Sequence, residues 1–388
     1  MSSQHRIADH QLTLLQNGTE FFPQLCADIA AAQHAIYFET YRFTDDGIGR
    51  RVAESLQQAA VRGVVVRVLL DGFGSSELSP DWLDEWRIAG VEVQWFRREI
   101  STFRIRRHRL RRLHRKLVVI DGEVAFIGGI NIMDDVPPQA DLSVPQLDYA
   151  VRVQGAVVDE MQLAMRHLWG VVSWANFRRR GKQLSVNMIE NRHYAATPAL
   201  TFLVRDNVRH RRDIERAYLQ AIASAKCEVI IANAYFLPGR VFRRALKQAA
   251  QRGVRVVLLL QGKVEYVIQH YATHFLYEKL LAEGVEIYEY QASYLHAKVA
   301  VVDGQWATVG SSNIDPFSLL LAREANLTVS DTGFSEALRA SLMVAIKNDA
   351  LRIEKNQLDY LTRFLSRISY GLVRLFVGIT GVAKRHGG

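Results

Sequence analysis

Short apolar runs alternate with amphipathic stretches along this chain. AIYFETYRF at 35–43, VVVRVLLD at 64–71 and VEVQWF at 91–96 read as buried strands. Between them, apolar residues recur at helical spacing over about 20–33, 49–62 and 80–89. Gly63 and Gly90 stand where two of those helices should stop. Residues 10–34 begin with Leu-Thr-Leu-Leu and an Asn-Gly turn ahead of the first helix. A further strand at 147–154, headed by Asp148, and a long helix from about 157 to 177 close the first half. Strands alternating with helices predict an α/β layer built on a mixed sheet.

The plan then repeats. AAVRGVVVRVLL at 59–70 returns as AAQRGVRVVLLL at 249–260, and GVEV at 90–93 returns as GVEI at 284–287. The offset drifts because loops differ in length. The expected organisation is a first domain over 8–185, a second over 198–355, a linker at about 186–200, and a C-terminal segment over 356–388. Each domain should be a mixed β-sheet flanked by helices, and the two should be homologous.

The repeat carries chemistry. HRKLVVIDGEVAFIGGIN at 114–131 and HAKVAVVDGQWATVGSSN at 296–313 place His, Lys, Asp, Gly, Gly and Asn at identical spacings. Side chains alternate along a strand, so His114 and Lys116 face one way, as do His296 and Lys298. Asp-Gly at 121–122 and 303–304 is a hairpin turn signal. Small residues at the end of the following strand let a ligand approach the backbone. Two such copies facing each other put two imidazoles, two ammonium groups and two amides around one point, which suits a tetrahedral phosphoryl group. The histidines can serve as nucleophile and general acid. Lys116, Lys298, Asn131, Asn313 and Ser311 can hold oxygens that gain charge. Asp121 and Asp303 complete the motif and count with the candidate catalytic set. Their position at turns, several residues past the histidines, gives them the task of orienting backbone or closing a local ion pair.

The pattern H-x-K-x4-D-x6-G-[GS]-x-N resembles that of the phospholipase D superfamily, over almost the whole chain, and the surrounding residues resemble bacterial cardiolipin synthases without transmembrane segments. The resemblance implies two phospholipase D-like domains with one active site at their interface. It implies phosphatidyl transfer between phosphatidylglycerol molecules, giving cardiolipin and glycerol through a phosphohistidine. Hydrolysis of a phospholipid or of a nucleic acid phosphodiester is the alternative within the same superfamily. Asp148 and Glu324 head corresponding strands, and the family uses an acid there to orient a histidine, so Asp148 is assigned to His114 and Glu324 to His296. Glu39, a carboxylate within an aromatic strand, either pairs with a buried cation or lines the pocket; the resemblance favours the pocket. Neither motif copy has a carboxylate cluster that would hold Mg²⁺, so no metal or other cofactor is expected. The motifs do not say which histidine attacks, which lipid is the donor, or what the oligomeric state is.

Composition changes this picture in three places. Cys26 and Cys227 are too few for a disulfide framework and point to a reducing compartment. The N-terminus lacks an apolar signal core, and no uncharged apolar run reaches the ~18–20 residues of a membrane span. The net charge of +9 is concentrated at 97–116, where ten Lys or Arg stand against Glu99 alone. That run is either a solvated loop or a basic lip for an anionic partner. The loop over 133–145, with three prolines, should lie near the pocket mouth. Arg178–Arg180 and Lys182 either cap the long helix or touch a membrane.

The tail adds a further element. At ~100° per residue, Arg363, Arg367 and Arg374 share a ~40° arc, opposite Leu361, Leu365, Ile368, Leu372, Leu375, Phe376 and Ile379. Such a helix either packs on the protein or lies on an anionic membrane. With an acidic phospholipid as substrate, the second reading places the protein peripherally on the cytoplasmic face of the bacterial membrane. The basic lip would suit nucleic acid equally, but the tail would then have no task.

Overall fold

The computed structural model describes residues 3–98, 111–136, 144–179, 199–206, 209–354 and 360–379. The first half runs β1 (Ser3–Ile7), β2 (His10–Gln16), α1 (Asn17–Ala31), β3 (Ala35–Thr40), α2 (Gly47–Val61), β4 (Val65–Asp71), α3 (Pro80–Ile88), β5 (Glu92–Phe96), β6 (Leu117–Ile120), β7 (Val124–Gly128), β8 (Tyr149–Gln154) and α4 (Val157–Arg179). The second runs β9 (Leu200–Arg205), α5 (Asp213–Ser224), β10 (Glu228–Asn233), α6 (Arg240–Gln251), β11 (Arg255–Gln261), α7 (Val267–Ala282), β12 (Glu286–Tyr290), β13 (Lys298–Val302), β14 (Trp306–Gly310), α8 (Pro316–Leu320), β15 (Glu324–Val329), α9 (Thr332–Asp349), β16 (Ala350–Arg352) and α10 (Tyr360–Ile379).

Each half builds one mixed sheet. The strand orders are β1-β2-β8-β7-β6-β3-β4-β5 and β16-β12-β11-β10-β13-β14-β15-β9. The β3-β4-β5 and β10-β11-β12 pairs are parallel, and the remaining neighbours antiparallel. The two halves thus share a seven-strand plan, with β1 and β16 as unmatched edges. The β1–β2 hairpin starts the first sheet at Ser3, ahead of the expected boundary at residue 8. Gly63 and Gly253 follow α2 and α6 at φ 94° and 88°. Only glycine adopts that conformation without steric cost, which is why the same Arg-Gly pair stops both helices.

A single core runs between the sheets. It joins Leu117, Val119, Ile127 and Val151 of the first sheet to Ile230, Val257, Val299 and Leu327 of the second. Separate cores lie outside each sheet, one under α1 and α2 and one under α5 and α6. Strands of both halves are therefore covered on two faces, which explains their continuous apolar runs. The motif strands β6 and β13 lie in the middle of their sheets. Most of the basic stretch (99–110), most of the proline loop (137–143), residues 180–198 and the final nine residues lie outside the described residues.

Candidate active site

The two motif copies meet through short parallel bridges between the halves. Leu113 pairs with Arg323, and Leu147 with Leu295. The His114 N–H donates to the Arg323 carbonyl and the His296 N–H to the Leu147 carbonyl, both at 2.9 Å. Each histidine strand is thus joined to the acid-bearing strand of the other half.

That contact corrects the expected pairing of acids and histidines. His114 Nδ1 lies 3.0 Å from Glu324 Oε2 and 3.1 Å from the Ser311 carbonyl. His296 Nδ1 lies 2.6 Å from Asp148 Oδ2. Each acid orients the histidine of the opposite domain. Within one sheet β7 separates β6 from β8, so the acid of a half starts about 9–10 Å from its own histidine strand. The carboxylate and carbonyl oxygens beside His114 Nδ1 can only accept, so its proton sits on Nδ1 and the Nε2 lone pair is left for chemistry; at His296 the shorter Asp148 contact favours the same tautomer.

Both imidazoles line one cleft of about 1260 Å³, together with Asn131 and Asn313. The Oδ1 atoms of the two asparagines are buried and have no hydrogen-bond partner. Lys116 and Lys298 sit beneath, at 6% and 0% exposure. Lys116 Nζ donates to the His114 carbonyl at 3.0 Å, and Lys298 Nζ reaches the His296 carbonyl and lies 2.8 Å from its Nδ1. Burial, followed by repulsion from Lys298, pushes the Lys116 ammonium down to about 7. Burial likewise lowers Lys298 to about 8, against the pull of Asp148 and Glu324. Burial, then the Lys298 charge, holds His296 at about 3, and burial lowers His114 as well. Two buried ammonium groups beside two buried imidazoles make a site whose charged forms an anionic phosphate diester would stabilise.

Four other expected residues do not face the cleft. Ser311, expected to hold phosphate, has a buried hydroxyl that donates to Glu324 Oε2 at 2.6 Å. Its counterpart in the first copy is Gly129, where a Cβ would fall 2.3 Å from Asp148 Oδ1. The shorter Asp lies against its own strand and excludes a side chain there, whereas the longer Glu leaves room for a hydroxyl. Gly-Gly with Asp and Gly-Ser with Glu are thus two ways of seating one carboxylate. Glu39, expected at the pocket, is buried instead against Arg115 at 2.7 Å. Arg115 lies between His114 and Lys116 and therefore points to the opposite side of the strand. Removing one partner of such a pair costs about 3–5 kcal/mol.

Asp121 and Asp303, counted with the catalytic set, stand at the far ends of β6 and β13. Both adopt left-handed backbone, φ 54° and 53°. Asp121 accepts the backbone N–H groups of Gln33, His34 and Ala35, and Asp303 those of Lys226, Cys227 and Glu228, all at 2.8 Å. Burial raises their pKa, but the three N–H donors outweigh it and hold both below the usual range. They pin the motif turn to the start of the neighbouring strand, and they take no part in the cleft.

Several cleft residues were not anticipated from the motif: Tyr41, Arg42, Arg112, Tyr235, Glu265 and Tyr266. Met133 and Asp135 show that the described part of the proline loop does reach the cleft. The Tyr41 ring stands edge-on to His114 at 4.9 Å and beneath the Lys116 ammonium at 5.3 Å. A strand-flanking tyrosine has no distinctive spacing, and only the fold brings it here.

The family described as "Cardiolipin synthase, PLD-like domain" matches residues 25–136 and 218–343. Cardiolipin synthase B of Salmonella typhi is 41% identical over 385 residues, spanning 97% of this chain and 91% of that protein. Cardiolipin synthase B of Escherichia coli strain K12 is 38% identical over the same shares. Among solved structures, phosphatidylserine synthase of Haemophilus influenzae Rd KW20 shares the fold, with a TM-score of 0.71 at 16% identity over 98% of this chain and 96% of that one.

Proposed function

The chain belongs to the cardiolipin synthase family of phospholipase D-like phosphatidyltransferases, and from that premise we propose that it moves a phosphatidyl group from one phosphatidylglycerol to another, giving cardiolipin and glycerol. The observation that carries this reading is the pair of histidines in one cleft, each fixed on Nδ1 by an acid of the other half. One Nε2 attacks phosphorus while the bond to the departing glycerol oxygen breaks. The other imidazole, protonated once the anionic diester occupies the cleft, gives that oxygen its proton. It then takes a proton from the acceptor hydroxyl, whose oxygen displaces the phosphohistidine nitrogen. Lys116, Lys298, Asn131 and Asn313 hold the non-bridging oxygens, a task a metal ion would otherwise perform. Purified protein with phosphatidylglycerol vesicles and chelator should yield cardiolipin and free glycerol in equal amounts. Cleavage of DNA or RNA without any cardiolipin would overturn the reading.

Membrane association is the second part of the proposal. Helix α10 docks on α7 through Ser366, Ser369 and Val373, which are buried, and through Tyr370, stacked on Phe275 at 4.3 Å. Its bulky apolar residues Phe364, Ile368, Leu372 and Leu375 point away, between 46% and 60% exposed. A helix that served only to pack would bury those and expose the serines. Leu372 and Leu375 also line the catalytic cleft, as do Tyr266, Val267 and Ile268 at the start of α7, themselves over half exposed. An apolar rim built from α7 and α10 thus flanks the cleft that a lipid headgroup would enter. No described helix is long and apolar enough to cross a membrane; the proposed attachment is peripheral, through α10, and the free Cys26 and Cys227 support the cytoplasmic face as its place. Attraction of the basic stretch to anionic lipid is screened over about 8–10 Å at moderate salt, whereas apolar insertion is not. Replacing Phe364, Ile368 and Leu372 together by Glu should weaken binding to phosphatidylglycerol vesicles at high salt by at least about thirtyfold. Sedimentation with vesicles measures this, and unchanged binding would make α10 a packing helix only.

A further inference from the structure

Two histidines related by a pseudo-two-fold axis have no direction. Nothing in the matched His, Lys and Asn set says on which side the alcohol lies. The bridges Phe43–Ile132 and Phe236–Ile314, and Leu113–Arg323 and Leu295–Leu147, fix which residues correspond across the axis. By that register Arg42 matches Tyr235, Arg112 matches Tyr294, and Met133 matches Asp315. All six line the cleft. At these three matched positions the first half presents Arg42, Arg112 and Met133, and the second Tyr235, Tyr294 and Asp315; Tyr41 and Asp135 of the first half also line the cleft, the latter accepting the Gly18 N–H at 2.7 Å. Glu265 adds to the second half's set: its Oε2 accepts from the Tyr235 hydroxyl at 2.5 Å. Glu265 and Asp315 both act on the Lys298 charge, while Lys116 feels neither among its main influences.

Resting on the function proposed above, we infer that Tyr235, Glu265 and Asp315 form the pocket for the alcohol part of the reaction, the polyol that leaves the donor or arrives as acceptor. Carboxylates repel phosphate oxygens but accept hydrogen bonds from hydroxyls, and two of them beside a phenol suit a molecule with several hydroxyl groups. The Arg42 and Arg112 wall is then left to anionic oxygens, and the asymmetry gives the substrate one orientation in a nearly symmetric centre.

The test is a competition. Phosphatidylglycerol vesicles are offered to the full chain with equal deuterated glycerol and 1-propanol, and the two phosphatidyl products are counted by mass spectrometry. The native protein should favour glycerol. Glu265→Gln with Asp315→Asn should lower the glycerol-to-propanol ratio about tenfold or more, as expected for losing hydrogen bonds to charged acceptors. Tyr235→Phe, which keeps the shape of the wall, should lower it in the same direction. Arg42→Gln should lower the total yield and leave the ratio alone. A ratio within twofold of native in both acidic-wall variants overturns the inference, whether or not the total falls, as does an equal shift in Arg42→Gln. Absence of both products from the native protein overturns the proposed function itself, and this inference with it.

Discussion

Phosphatidyl transfer is expected to fall by at least about 10⁴-fold when either His114 or His296 is replaced by Gln, because each removes a group that acts only together with its partner. Gln keeps the polar volume and can still satisfy the opposing acid, so the loss reflects chemistry rather than collapse of the site. The two variants should differ in one respect. With a nitrophenyl phosphodiester, the departing phenolate needs no proton. The variant that retains the nucleophile should therefore release nitrophenol in a burst and hold labelled phosphoryl on its remaining imidazole. The variant that lacks the nucleophile should do neither. Acid-quench labelling distinguishes them and names the attacking histidine. Label on neither variant, with none on the native protein during turnover, would exclude the covalent route.

The second large effect follows from the crossed acids. Glu324→Gln should lower turnover by about 10³–10⁴-fold, as expected when a histidine loses the acceptor that sets its tautomer. Asp148→Asn should act similarly. The informative measurement is spectroscopic. In Glu324→Gln the Nδ1–H resonance of His114 should move while that of His296 stays, and Asp148→Asn should give the reverse. Movement of the histidine in the same half as the substituted acid would contradict the pairing at 3.0 Å and 2.6 Å.

The sheet, the repeat and the His, Lys and Asn positions were legible in the sequence because they are carried by local alternation and by matched spacing within one segment. The partner of each histidine was not. That pairing depends on the register between halves, set by bridges only two residues long, Leu113–Arg323 and Leu147–Leu295, which leave no periodic trace. Glu39 was misplaced for a different reason, since the signal was present. Arg115 lies between His114 and Lys116, so alternation sends it to the buried side, where a cation requires an acid; Glu39 pairs directly with Leu117, two residues further on. The tail's amphipathic character was visible, but its orientation was not. Docking through Ser366 and Ser369 depends on how closely α10 approaches α7, and no wheel of residues reveals that.

The exchange of acids also bears on inheritance. A duplicated segment ordinarily supplies a spare, and one copy is free to drift while the other works. Here neither copy is a spare, because each histidine depends on a carboxylate encoded in the other repeat. On the proposed mechanism, damage to either repeat would disable both histidines' joint chemistry. By the same reasoning, the halves expressed as separate polypeptides should each be inert and should recover turnover only when mixed, as the two chains of an ancestral dimer would.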